Sequence, residues 1–153
     1  MKSNKALKQF NNFVIRTGIR EYCSTTCKGD CCRTNDCYSK LNNDFKYCHQ
    51  HLACTCYYCY DIGNIIHFID QYKEQDLQRL KDAIYKKLHT DIYDFQNKNI
   101  FFTPYSLLDY EITSYHFPRF GEEFYIKMSK LMKKAIKLKL NRHDLYKLRR
   151  VNT

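Results

Sequence analysis

Apolar residues recur at three- and four-residue spacing in separate stretches of the chain, and each such stretch predicts a helix. In the first, residues 4–17, Ala6, Leu7, Phe10, Phe13 and Val14 recur at this spacing, and Gly18 supplies a terminator. The second begins near Asn64, either capped there or continuing the segment before it, with Ile65, Ile66, Ile69 and Tyr72 on one face. Its pattern resumes at Leu77, Leu80, Ile84 and Leu88, so Lys73-Glu74-Gln75-Asp76 is the expected break, and Asp82 and Lys86 form a supporting i,i+4 pair. The third runs from Glu122 to Leu140, where Phe124, Met128, Leu131, Met132, Ala135 and Leu138 form a single apolar stripe. Asn141 breaks it, and Asp144 is the expected cap of a final turn carrying Tyr146, Lys147, Arg149 and Arg150.

Periodicity weakens between Asp91 and Tyr125. Gln96-Asn97-Lys98-Asn99 signals a turn, and Ile100-Phe101-Phe102 a short strand or buried extended segment. Thr103-Pro104 reads as a helix start leading into Leu107, Leu108 and Ile112. In Tyr115-His116-Phe117-Pro118-Arg119-Phe120 aromatics interleave with charge. Such a segment is either a base-stacking platform beside a phosphate contact or, the plainer and preferred reading, a loop pinned to the core by its rings.

Polar positions are as informative. Lys127, Lys130, Lys133, Lys134, Lys137 and Lys139 fill most of the third helix outside its stripe, and Arg142, Lys147, Arg149 and Arg150 extend the charge into the tail. Acidic residues open this helix and lysines end it, which suits the helix dipole. The whole chain of 153 residues has 26 Lys and Arg against 16 Asp and Glu, a formal charge of +10. That excess attracts polyanions, nucleic acid foremost. Crowded cations repel one another until phosphates neutralise them, and each neutralised phosphate releases counterions. Tyr (14) and Phe (10) are frequent and Trp is absent, which fits base stacking, a core, or simply AT-rich codons. No apolar run reaches transmembrane length, so a soluble chain with no membrane partner is expected.

The nine cysteines all fall between Cys23 and Cys59. They are Cys23, Cys27, Cys31, Cys32, Cys37, Cys48, Cys54, Cys56 and Cys59, with His49 and His51 among them and His67 beyond. The first twenty residues lack the uninterrupted apolar run of a secretory signal, so a cytoplasmic, reducing setting is expected, where stable disulfides are disfavoured. The odd count and the intermixed histidines also point to metal. Cys48-x2-His51 followed by Cys56-x2-Cys59 supplies two knuckles and the four tetrahedral ligands that zinc prefers. Four of Cys23, Cys27, Cys31, Cys32 and Cys37, with Cys54 or His49 as substitutes, supply a second site. One or two zinc ions, or more, are expected, with disulfides and an iron–sulfur cluster as the alternatives. Zinc held by four such ligands is structural, and no His-Glu-x-x-His or deaminase pattern suggests catalysis. Residues 23–48 are mostly polar, so their order is expected to depend on metal. His67 reads as a packed core histidine before it reads as a ligand.

These readings give a mainly α protein with an irregular Cys/His zinc module, a small domain of helices and zinc knuckles. The expected division is an N-terminal helix (1–20), a Cys/His zinc-binding module (21–63) and a helical region with a basic C-terminal helix and tail (64–153). The leading functional expectation is a non-enzymatic, zinc-stabilised RNA-binding protein. On its Cys48–Cys59 knuckles and basic last third the chain resembles small ribosome-associated zinc proteins, including dormancy or hibernation factors. That resemblance implies a ribosomal RNA partner, with ribosomal proteins as further partners, and exclusion of tRNA or messenger. Two alternatives stand beside it. Cys48-x2-His51…Cys56-x2-Cys59 looks like parts of B-box and RING domains, which implies an intracellular protein-interaction module, although the spacing upstream of Cys48 departs from those families. Cys23-x3-Cys27-x3-Cys31-Cys32 is similar to the double-cysteine motif of the cysteine-cluster family, which implies zinc or iron handling, although the Arg-Pro pair of that family is missing.

Overall fold

Gly18 makes the first corner of the fold. In the computed structural model, which describes residues 2–28, 30, 43–45, 58–87, 111 and 115–151, helix α1 spans Ser3–Arg16 and buries Ala6, Leu7, Phe10, Phe13 and Val14. Thr17 follows, fully buried, and its Oγ1 donates to the Phe13 carbonyl at 2.6 Å, so the hydroxyl enters the core satisfied. Gly18 then takes φ 80°, ending α1 and starting α2 (Ile19–Tyr22) at once. A side chain at that φ is strained, and a Cβ there would stand 3.0 Å from Met132 Cβ. Gly18→Ala is expected to destabilise by about 1–3 kcal/mol. A urea titration checks it: the midpoint falls while the slope is unchanged.

α2 runs directly into a π-helical turn over Cys23–Cys27, closed by the Lys28 N–H on the Cys23 carbonyl at 2.8 Å. Irregular loops and knuckles were the expectation from Cys23 onward, and this part is helical instead. The reason is that a thiol packs as a small apolar group. Ile19, Tyr22, Cys23 and Cys27 therefore continue a helical stripe, and all four are buried.

Helix α3 spans Tyr60–Ile69. Asn64 lies inside it, so of the two starts the sequence allowed, the chain takes the continuation from the cysteine segment. Cys59 is the N-cap, its Sγ accepting the Ile62 N–H at 3.5 Å. α4 spans Gln71–Lys87. The break falls at Asp70 rather than at residues 73–76. Asp70 leaves the helical region (φ −149°, ψ 93°), and its Oδ1 accepts the Lys73 N–H at 3.1 Å. Lys, Glu and Gln are good helix formers, whereas aspartate favours caps. With the break moved, Tyr72 leaves the apolar face and is 77% exposed, while Leu77, Leu80 and Ile84 are buried as expected.

Helix α5 spans Glu122–Lys137 and buries Phe124, Met128, Leu131, Met132 and Ala135. Leu138, expected in that stripe, caps the helix and is half-exposed. Lys139 adopts φ 53°, its N–H bonding the Ile136 carbonyl at 3.1 Å while the Leu140 N–H bonds Ala135 at 2.9 Å. This pair of bonds is the Schellman ending, here with lysine in the left-handed position that glycine usually fills. A 3₁₀ turn (Arg142–Lys147) and α6 (Leu148–Val151) are the last described elements. The cap of that turn is Asn141, whose Oδ1 accepts the Asp144 N–H at 3.1 Å, and not Asp144 itself.

Phe13 is the hub of the core. Its ring lies 5.8 Å from Phe117, 5.0 Å from Phe120 and 6.1 Å from Phe124. Phe117 and Phe120 thus pin residues 115–120 to α1 and α5, as the plainer reading of that loop had it. Tyr115, His116 and Arg119 face solvent. The described residues are mainly helical, and their only β pairing is a single bridge between Lys2 and Glu111. No helix among them is long and apolar enough to cross a membrane. The turn, strand and helix expected between Gln96 and Ile112 lie outside the described residues, apart from Glu111.

Candidate nucleic-acid interface

The stripe that fixes α5 in the core also fixes where its lysines point. At 100° per residue, Lys127, Lys130, Lys133, Lys134 and Lys137 fall within roughly 120° of the circumference, opposite the buried side chains. Lys127, Lys130, Lys133, Lys137 and Lys139 are exposed and Lys134 is half-buried. From Phe124 to His143 the sequence has no acidic residue, and none of these six lysines pairs with a described carboxylate. Like charges at i,i+3 and i,i+4 destabilise an isolated helix. The packed stripe and the helix dipole hold this one together against that repulsion.

The tail behaves differently. Arg142 does not join the lysine band. Its Nε donates to Asp30 Oδ2 at 2.9 Å, and its Nη1 lies 3.5 Å from Asp61 Oδ2. The hydrogen bond to Asp30 raises the guanidinium above its ordinary pKa. Lys147 sits 3.5 Å from Asp144. Arg149 is exposed, and the side chain of Arg150 lies outside the described residues. Of the expected RNA contacts, the six lysines of α5 and its cap, with Arg149, are those left without an acidic partner among the described residues.

No known protein family, curated protein or solved structure matches this chain.

Of the expected metal ligands, Cys23, Cys27 and Cys59 are described and all three are buried. Cys31, Cys32, Cys37, Cys48, His51, Cys54 and Cys56 lie outside the described residues, as does His49. Among the described residues no group of three or more His, Cys, Asp or Glu could hold a metal ion. Cys23 and Cys27 are one π turn apart, and Cys59 receives the Ile62 N–H at a helix start. The Asp30 N–H bonds the Cys27 carbonyl at 3.1 Å, and Asp61 follows Cys59 by two residues. Arg142 therefore clasps both ends of the segment that carries the other six cysteines. Sequence reasoning missed this clasp because nothing local marks a pair 112 residues apart.

His67 is not packed in the core. It is 45% exposed in its side chain, with Nδ1 3.5 Å from Glu74 Oε2. Ile62, Ile65 and Ile66 take the buried face of α3, and His67 lies beside that face rather than on it.

Proposed function

We propose that this is a non-enzymatic, zinc-stabilised RNA-binding protein acting on ribosomal RNA as a ribosome-associated or dormancy factor. The observation that carries the reading is the lysine band of α5, with no described carboxylate to neutralise it and no acidic residue in the surrounding twenty positions. Phosphates of an RNA backbone would neutralise it and release counterions. Lysines act there as point charges, and Arg149 offers a bidentate contact. Zinc would be held by cysteines of the 23–59 segment together with His51. The buried Cys23, Cys27 and Cys59 supply soft thiolate donors that suit it. The ion would be structural, fixing the segment that Arg142 clasps.

Sedimentation with ribosomes tests the RNA partner. Co-sedimentation at low salt and release at about 0.5 M salt are expected, because backbone contacts weaken steeply as salt rises. A protein that stays in the supernatant at low salt contradicts the reading. Metal removal tests the other half. Stripping by chelator is expected to lower the thermal midpoint by about 10 °C or more, with recovery on adding zinc, because structural metal binding is also folding free energy. An unchanged midpoint in a stripped sample shown to be free of metal would remove zinc from the proposal.

A further inference from the structure

α3 and α4 enclose a cleft of about 420 Å³, within the size range of small-molecule sites. Its back wall is the ring of Tyr58, lying across Gly63, where a Cβ would come within 3.2 Å of Tyr58 Cε2. The Tyr58 hydroxyl donates to Gln78 Oε1 at 3.3 Å, and Gln78 Nε2 donates to Asp82 Oδ1 at 3.3 Å. Lys81, only 9% exposed, holds its Nζ 4.3 Å from the centre of the same ring. Glu74 faces His67 across the cleft. These groups are occupied with one another and set the shape.

Two lining groups are placed differently. The amide of Asn64 makes no hydrogen bond to a described residue, and it offers both donors and an acceptor. The ring of Tyr60, at the rim, is 80% exposed. An aromatic face beside an amide suits a planar heterocycle with a hydrogen-bonding edge. The carboxylate of Glu74 in the wall disfavours a phosphate inside. Outside the cleft, Asp61, the residue after Tyr60, is engaged by Arg142.

Resting on the RNA-binding reading above, we infer that this cleft takes an unpaired nucleobase of the bound RNA, stacked on Tyr60 with its edge read by Asn64. The lysine band holds backbone without regard to sequence, and the cleft gives the protein a preference for looped or single-stranded RNA over duplex.

The test uses an RNA hairpin with 2-aminopurine in the loop, a matched hairpin with it in the stem, and an uninterrupted duplex. Full-length protein is expected to quench the loop probe and leave the stem probe unchanged. In Tyr60→Ser the loop quenching is lost and the ratio of loop to duplex affinity falls at least about fivefold, the lower end for loss of one stacked base. Asn64→Ala is expected to lower that ratio with stacking retained. Both positions lie at the surface of α3, and circular dichroism checks that each variant is folded. Equal loop and duplex affinities, or a Tyr60→Ser protein with undiminished quenching and ratio, overturns the inference and leaves RNA binding standing. A protein that binds none of the three RNAs overturns both.

Discussion

Phe13→Ala lowers the unfolding free energy by about 3–5 kcal/mol. The side chain is fully buried and its ring touches rings from two other parts of the chain: Phe117 and Phe120 from the connecting loop, Phe124 and Tyr125 from α5. Removing it takes away apolar burial, leaves a cavity among rigid rings, and frees the loop that those rings hold down. Domains of this size are stable by about 5–15 kcal/mol, so the variant stands close to unfolding. Urea titration followed by circular dichroism gives the shift in midpoint. Ile15→Ala, on the same helix but 51% exposed, is the comparison, expected to change stability by no more than about 0.5 kcal/mol. Similar losses in the two variants would mean that the aromatic cluster does not organise the core.

The second large effect is on binding. Replacing Lys127, Lys130, Lys133 and Lys137 together by glutamine is expected to weaken RNA binding on the order of a hundredfold at ~0.15 M salt. It should also make the slope of log affinity against log salt shallower by about 3, near 0.7 for each single-strand phosphate no longer neutralised. Glutamine keeps helix propensity, and the four positions are exposed, so the helix and its buried stripe are retained. Fluorescence anisotropy with a labelled RNA over a salt series reads both quantities. The matching replacement of Lys5 and Lys8, exposed on α1, is expected to change the slope little. An unchanged slope in the α5 variant would place the polyanion elsewhere.

Much of the helical frame was legible because burial and helical spacing coincide. Phe10, Phe13 and Val14 in α1, Leu77, Leu80 and Ile84 in α4, and Met128, Leu131, Met132 and Ala135 in α5 all recur at helical spacing and all are buried. The departures have local physical causes. Cys23 and Cys27 are expected in an irregular segment, yet their small buried side chains extend a helical stripe. Asp70 caps a helix more strongly than the following Lys-Glu-Gln-Asp interrupts one. Leu138 fits the stripe by number, but as the C-cap residue it sits at the very end of α5 and stays half-exposed.

The lysine band was legible for the same reason as the stripe, since one face of a helix defines the other. Arg142 was not. In the sequence it is one more cation of a basic tail, and only the folded chain shows Asp30 and Asp61 on its guanidinium. The cleft between α3 and α4 was also hidden, because it depends on the position of the break between those helices and on a glycine that lets Tyr58 lie flat.

The most direct measurement is purification of the protein from its own cells at low salt, with metal content and bound nucleic acid determined on one sample. Near-stoichiometric zinc together with ribosomal RNA, the RNA leaving as salt is raised, is the predicted result. A sample with neither RNA nor zinc, or one whose partner is a protein retained at high salt, would contradict it.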